Sequence, residues 1–572
     1  MRKSCSGASF DDALPAALKS IARPLGITAC TSLIAAAVLM FADYGKFQQA
    51  GLATTLALLC VLLSVVLLIP ALLRFGGRWV FWPDLRQERL AAGAEWLPTV
   101  SLTRWIADQQ WSEKMWKRSA DLIGDRPGRL LAVSSLVLAL LTACGCWQVY
   151  ELSYGMLTDL PDRYPSAIGA EAVQSKFPAG MLGSTIVLVQ HSEFDLTPTS
   201  NNRHLRRSHP GRQFSREIVD QLRPQMPSLG LSEIRAQAYP LGISAAAMRL
   251  DAQFTLYARR MLVHESQKLY AGTQGPAAGK VLKLEFILST PPFSHQAITR
   301  LPDLEQAVRD SLPRELRDGA EISSLGPTAS LRDLKQVTGS DTQRTFLLTI
   351  VAVGVSVLIY FPRPILVVLL LGVNIAVCFA ALGLTCLLAG SVFRNDFDGL
   401  DWNLPIWLFT LVCGIVGDPH RLLAVRVAAE QRIHPGLAGV QAALRRSGGI
   451  ITGFGFALMI PAVALLASEL TGLVELGVAL IGGVLLDLFI VRAIMLPAVL
   501  SLFYQDGFGL LGRWLQRSEG TQPLDSPPGG AVQRPGNIEI DQQAGTVVEQ
   551  PTWPGLQSRP GSTEALTPRE RA

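Results

Sequence analysis

Eight runs of apolar residues, at 24–42, 51–73, 130–149, 346–361, 365–392, 402–425, 450–467 and 472–503, constrain this chain more than any other feature. A helix needs about 20 such residues to cross roughly 30 Å of hydrocarbon. Runs of this length therefore predict a multi-pass membrane protein, although the fourth is short for a span and the eighth is long. Charged residues make up 17% of the sequence, against about 25% in soluble domains.

Basic residues set the orientation, because cytoplasmic loops retain Lys and Arg. With the N-terminus inside, the inner segments carry 20 of them, ten between Arg74 and Arg129, whereas the short outer loops carry Lys46 and Arg394. Both termini are expected in the cytoplasm. The net charge of +5 is spread over many loops, which gives no nucleic-acid face. Seven cysteines sit in apolar runs and Cys5 in the first inner segment, so neither a disulfide framework nor a metal site is expected.

The polar stretch 151–344 has the content of an outer domain. Residues 184–190 and 280–289 read as strands, and "REIVDQL" and "LPDLEQAVRDSL" as amphipathic helices, an alternation that predicts a small α/β layer. A further helix is read at 245–271 and a solvated basic loop at 201–212. On the inner side, the Trp residues of 76–129, among them Trp105, Trp111 and Trp116, alternate with Arg and Lys and predict short helices on the headgroup surface. The tail beyond Phe503 turns rich in Pro, Gly, Gln and Thr and reads as disordered.

An internal repeat joins the two ends of the membrane part: "AALKSIARPLGITACTSL" aligns with "AALRRSGGIITGFGFALM", and Pro70-Ala71-Leu72 with Pro497-Ala498-Val499. Duplicated halves are characteristic of transporters. Cys60 and Val65 stand opposite Asp487 and Arg492, so one copy alone carries ionisable groups there.

"GIVGDPHRLLAVR", with its Gly-x-x-x-Asp element, "AALRRSGGIITGFGFAL" and "GGVLLDLFIVRAIMLPAVLSL" together resemble the resistance-nodulation-division (RND) superfamily, nearest its MMPL-type lipid and hydrophobe exporters. The resemblance implies two halves of six spans, each with a porter-type outer domain. Here it implies the last two spans of a first half followed by a complete second half. Four spans and one outer domain are then missing, and a longer gene product, a partner chain or a homo-oligomer is expected to supply them. Where MMPL-type members commonly carry Tyr after the Asp, this chain has Pro419 and then His420.

Ionised carboxylates near the bilayer centre cost at least about 2.5–3.5 kcal/mol on insertion scales. Asp487, near the middle of its run, therefore needs a partner or a proton, and Asp418 lies just past the centre of its own span beside Pro419, where a kink is expected. In α-helical geometry Arg492, five residues on, sits about 140° around from Asp487. Arg492 is accordingly expected to reach Asp418 on a neighbouring helix, with Asp487 as second carboxylate and His420 as a further relay candidate. Plainer roles stand beside these: a helix-end charge for Asp418, snorkelling or helix pinning for Arg492, a solvated headgroup-level residue for His420. Asn374 reads as interhelical glue.

The fold class expected is a mainly α membrane protein of eight transmembrane helices with one extracytoplasmic α/β porter-like domain. Its segments are two spans (1–83), a cytoplasmic amphipathic linker (84–129), a span (130–150), the outer domain (151–344), a five-helix bundle (345–503) and a cytoplasmic tail (504–572). The resemblance implies a bacterial inner-membrane exporter of lipids or other hydrophobic compounds, driven by protons, without cofactor or metal. The rival readings are a sterol-sensing-like membrane sensor or scaffold and an inactive gene fragment. An enzyme is disfavoured: the outer histidines, His191, His204, His209, His264 and His295, form no HExxH, and no GxSxG or Cys nucleophile accompanies them.

Overall fold

The computed structural model describes residues 26, 28–76, 111–150, 152–155, 160–161, 163–196, 210–242, 256–272, 274–360, 364–392, 399–416, 418–431 and 433–504. Most of the inner linker, the basic loop up to residue 209, the start of the helix read at 245–271 and the tail lie outside them. In chain order the principal helices are α1 (Thr28–Phe41), α2 (Gly45–Gly76), α3 (Trp111–Asp125), α4 (Pro127–Gln148), α5 (Pro165–Lys176), α6 (Pro210–Leu222), α7 (Leu256–Tyr270), α8 (His295–Asp310), α9 (Pro327–Tyr360), α10 (Pro364–Val392), α11 (Leu404–Leu411), α12 (Asp418–Gln431), α13 (Leu437–Leu465), α14 (Thr471–Leu486) and α15 (Leu496–Tyr504). Four strands complete the set: β1 (Thr185–Gln190), β2 (Leu231–Arg235), β3 (Val281–Leu288) and β4 (Glu321–Leu325).

Among the described residues six helices are long and apolar enough to cross a membrane: Gly45–Phe75, Pro127–Gln148, Pro327–Ile359, Val367–Ala389, Leu437–Leu465 and Thr471–Leu502. The runs at 24–42 and 402–425 give shorter apolar helices instead, Thr28–Phe41 and Leu404–Gly414. In the second case the reason is local. After α11 the backbone widens into a π-helical turn, Val412–Val416, and a new helix begins at Asp418. Pro419 falls in the first turn of that new helix, a position that proline tolerates.

The strands form one antiparallel sheet in the order β2-β3-β1-β4. Alternation along β1 and β3 turns Val187, Val189, Leu282, Leu284 and Phe286 to one face, and α6 and α8 cover it with Ile218, Leu222, Leu301, Leu304 and Val308. This is the two-layer solution that a sheet with one apolar face requires. Residues 210–212, read as the end of a loop, instead open α6, since Pro at a helix start needs no donor. The β2 and β4 segments, "LSEIR" and "EISSL", were not legible as strands. Both are edge strands, and β4 alternates between exposed and half-buried positions.

The apolar run read as starting at residue 346 is the inner part of α9, a 34-residue helix that begins directly after β4. No proline interrupts it after Pro327, so one rod joins the sheet to the helix bundle. Near its middle the fully buried Asp341 accepts the backbone N–H groups of Asp43 and Tyr44, each at 2.8 Å, just before α2 starts. Arg344 donates to Asp43 Oδ2 at 3.0 Å. Asp341→Ala is expected to lower stability by about 3 kcal/mol, two charge-assisted bonds at about 1.5 kcal/mol each. Thermal unfolding in detergent checks this, and an unchanged midpoint would show the clamp to be idle.

Inside the bundle α4 and α10 cross at their glycines. A Cβ on Gly145 would run into the backbone of Phe379, and one on Gly383 into the backbone of Leu141 and Gly145. Thr142 Oγ1 donates to the Ala376 carbonyl across the same contact at 3.0 Å. Close backbone approach through small residues is how helices associate where lipid removes the hydrophobic driving force. Asn374, on α10, is buried, but its Oδ1 has no hydrogen-bond partner among the described residues, so the glue reading gains no bond there.

Helix α3 departs from the reading of a helix on the headgroup surface. Trp116 is only 1% exposed. Its ring fills the notch left by Gly448 on α13, where any Cβ would strike the indole, and its Nε1–H donates to Thr452 Oγ1 at 2.9 Å. Ala120 and Ile123 share that core with Leu444, Ile451 and Leu488. The aromatic-basic pattern alone does not say that a glycine-lined slot receives one of the rings.

Candidate functional site

At Asp487 the helix that began as α14 changes its hydrogen bonding. Asp487–Met495 is π-helical, and at its end the Leu496 N–H reaches back five residues to the Val491 carbonyl. In this register residues five apart lie one above the other. Asp487 and Arg492 therefore share a face and form an ion pair through Oδ2 and Nη2, with both side chains fully buried. This corrects the expectation that the two point apart: the 140° offset holds for an α-helix, and the segment is not one. The side chain of Asp418, which Arg492 was expected to reach, lies outside the described residues.

His420 joins the same carboxylate. Its Nε2 meets Asp487 Oδ1, and the imidazole is buried. The reading of a solvated histidine near the headgroups is corrected here as well. His420, Leu423, Val427 and Glu430 follow the spacing of one helix face, and the whole face turns inward: Leu423 and Val427 enter the core formed with α13, and Glu430 pairs with Arg446 at 2.6 Å. That stripe was present in the sequence and is the signal that places His420 in the bundle. Its Nδ1 has no hydrogen-bond partner among the described residues.

A buried carboxylate thus has a guanidinium against one oxygen and an imidazole nitrogen against the other. Arg supplies a charge that does not titrate near neutral pH, and His is the side chain that does. Chemically the arrangement suits proton exchange coupled to helix packing.

The surrounding helices are held closely. Gly455 on α13 faces Leu488, and Gly482 and Gly483 on α14 face Leu384 and Ala381 of α10. Phe409, three residues before the first π-turn, stacks on Phe346 of α9 with centroids 3.9 Å apart. The copy of this region in the first repeat, α2, is uninterrupted α-helix, and Cys60, opposite Asp487, is exposed. The asymmetry in charge is therefore matched by an asymmetry in backbone.

Relatives place these features in a lineage. Over 491 residues the chain is 26% identical to the putative membrane protein ActII-3 of Streptomyces coelicolor, covering 85% of this chain and 56% of that protein. It is 22% identical to the apo-petrobactin exporter of Bacillus anthracis, covering 90% of this chain and 61% of the exporter. The chain therefore spans somewhat over half the length of these two relatives. The structure of the hedgehog release protein Disp from the water bear Hypsibius dujardini shares its fold, with a TM-score of 0.53 at 13% identity over 85% of this chain and 59% of that one. The sequence pattern of the MMPL family matches residues 3–130 and 159–523. This multi-pass membrane protein belongs to the MMPL family.

Proposed function

We propose that the chain works, as the last two spans of a first half followed by the second half, in a proton-driven exporter of lipids or other hydrophobic compounds in a bacterial inner membrane. The observation that carries this reading is Asp487, fully buried and held between Arg492 and His420 inside the helix bundle. The same reading gives Asp418, at the start of α12, the part of a second proton-carrying carboxylate. It also takes the short helices α1 and Leu404–Gly414 as two further membrane crossings, making eight, with both termini in the cytoplasm. Support for a lipophilic or chelating cargo comes from relatives named as the apo-petrobactin exporter and, at 23% identity over 48% of this chain, the sulfolipid-1 exporter of Mycobacterium tuberculosis.

The mechanism follows from the pairing. Protonation of Asp487 removes the charge that holds Arg492, so the two states of the carboxyl favour different packing of the π-helical segment. Coupling then passes to α9 through the α11–α9 contact, where Phe409 stacks on Phe346, and along the unbroken α9 to the outer sheet. An equilibrium moves only as far as the two states differ in affinity for the proton, which is why the site has to be dry and well paired.

The test uses the full chain in proteoliposomes loaded with a lipophilic fluorescent probe, together with the rest of the exporter where the gene product is longer. An imposed proton gradient is expected to drive probe movement, and a protonophore to stop it. Movement that ignores the gradient would sink the pump and favour the sensor or scaffold.

A further inference from the structure

Both helices that widen into π-turns beside the site carry a carbonyl for which a proline holds one of the two helical donor positions, four or five residues on. In the Val412–Val416 turn, the five-residue register would pair the Gly414 carbonyl with residue 419, which is Pro419. Where the segment Asp487–Met495 returns to α-helix, the four-residue register would pair the Ala493 carbonyl with residue 497, which is Pro497. Neither proline has an N–H. A carbonyl without a donor at this depth costs several kcal/mol, and broken membrane helices survive when Ser or Thr from a neighbour fills the gap.

A serine from another helix sits on each. Ser32, on α1, donates its hydroxyl to the Gly414 carbonyl at 2.8 Å. Ser119, on α3, donates to the Ala493 carbonyl from a position 7% exposed. Ser119 is itself fixed on both sides: Trp116 is plugged into the Gly448 notch, Gln441 Nε2 donates to the Ala120 carbonyl at 2.9 Å, and Arg445 pairs with Asp121 at 2.9 Å. The inner helix α3 is thereby tied to α13 and holds one point of the α14 segment, one residue beyond Arg492.

We infer that Ser32 and Ser119 are positioning residues, latches that hold the two π-helical segments in register by donating to carbonyls for which a proline removes one helical donor. Ser119 thereby keeps Arg492 on the same face as Asp487. A slip of the 487–495 segment to α-helical bonding would swing Arg492 about 140° away from the carboxylate. The helix α3 becomes a point from which the cytoplasmic side can reach the buried site without touching its charged groups. The structural part of this stands alone, and the consequence for proton flux rests on the exporter reading.

The experiment compares amide hydrogen exchange in nanodiscs for the wild type, Ser119→Ala, Ser119→Thr, Ser32→Ala and Ser32→Thr, using the full chain. Ser119→Ala is expected to speed exchange in 487–496 about tenfold, the factor equivalent to about 1.4 kcal/mol for one lost hydrogen bond. Exchange in the β1 and β3 peptides should stay unchanged, and Ser119→Thr should restore the slow rate. Ser32→Ala should act likewise on 412–416 only. Proton flux in proteoliposomes should fall with Ser119→Ala and recover with Ser119→Thr. Local exchange that responds in a chain showing no flux would uphold the latches and discard the pump. Unchanged exchange at both segments in the alanine variants would overturn the latches, whatever the flux.

Discussion

Asp487→Asn is expected to reduce proton-coupled probe movement to the level of empty vesicles while the protein still inserts. The amide keeps the size of the carboxyl and one acceptor oxygen but cannot exchange a proton. Stability has to be measured beside flux, because Arg492 is as buried as its partner. Breaking a buried pair from one side costs about 3–5 kcal/mol, whereas replacing both members by apolar residues of similar volume is often neutral. Arg492→Met alone should therefore lower the unfolding midpoint sharply, leaving the carboxylate to His420. Adding Asp487→Leu should recover most of that loss. Flux should be absent in all three variants. A double variant that regains stability and also transports would mean that the pair only holds helices together.

Gly383→Leu is expected to do severe structural damage to the bundle. A Cβ at this position already meets the backbone of Leu141 and Gly145, and backbone, unlike a side-chain end, has no rotamer to escape into. The two helices would have to separate along their whole contact, losing the Thr142 bond to Ala376 as well. Overpacking commonly costs about 1–3 kcal/mol when side chains can adjust, and a clash with backbone on a neighbouring helix should exceed that range. The expected result is a protein that is degraded or elutes as aggregate, with Gly372→Ala as a tolerated control because nothing lies within 4 Å of a Cβ there. Normal size-exclusion behaviour of Gly383→Leu would show that the crossing is looser than described.

Much of the architecture was legible because bilayer physics leaves a strong mark on sequence. Long apolar runs can be counted, and six of the eight correspond to helices long enough to span. Strands β1 and β3 were legible from their alternation, since one of their faces is fully buried. The edge strands were not, because "EISSL" buries almost nothing and is held by its neighbour's backbone.

The site was half legible. A lone Asp in an apolar run announces itself, and so does the absence of its counterpart at Cys60. What the linear pattern could not disclose is the helix register. The α-helical assumption sent Arg492 to the wrong side, and only the five-residue bonding pattern brings it back to Asp487. Pro497 was the available warning, since a proline disturbs the bonding of the residues four and five before it. His420 is legible only through its stripe with Leu423 and Val427, because a lone histidine near the end of an apolar run is equally compatible with a solvated place near the headgroups.

The length of α9 has a mechanical consequence. From Phe346, where it meets Phe409, to Pro327 beside the sheet is 19 residues of unbroken helix, roughly 28 Å at 1.5 Å per residue. A tilt of only about 10° at the bundle end would displace the end beside the sheet by roughly 5 Å. Under the exporter reading, a small rearrangement where Phe409 meets Phe346 would thus gain stroke through a stiff lever at the sheet.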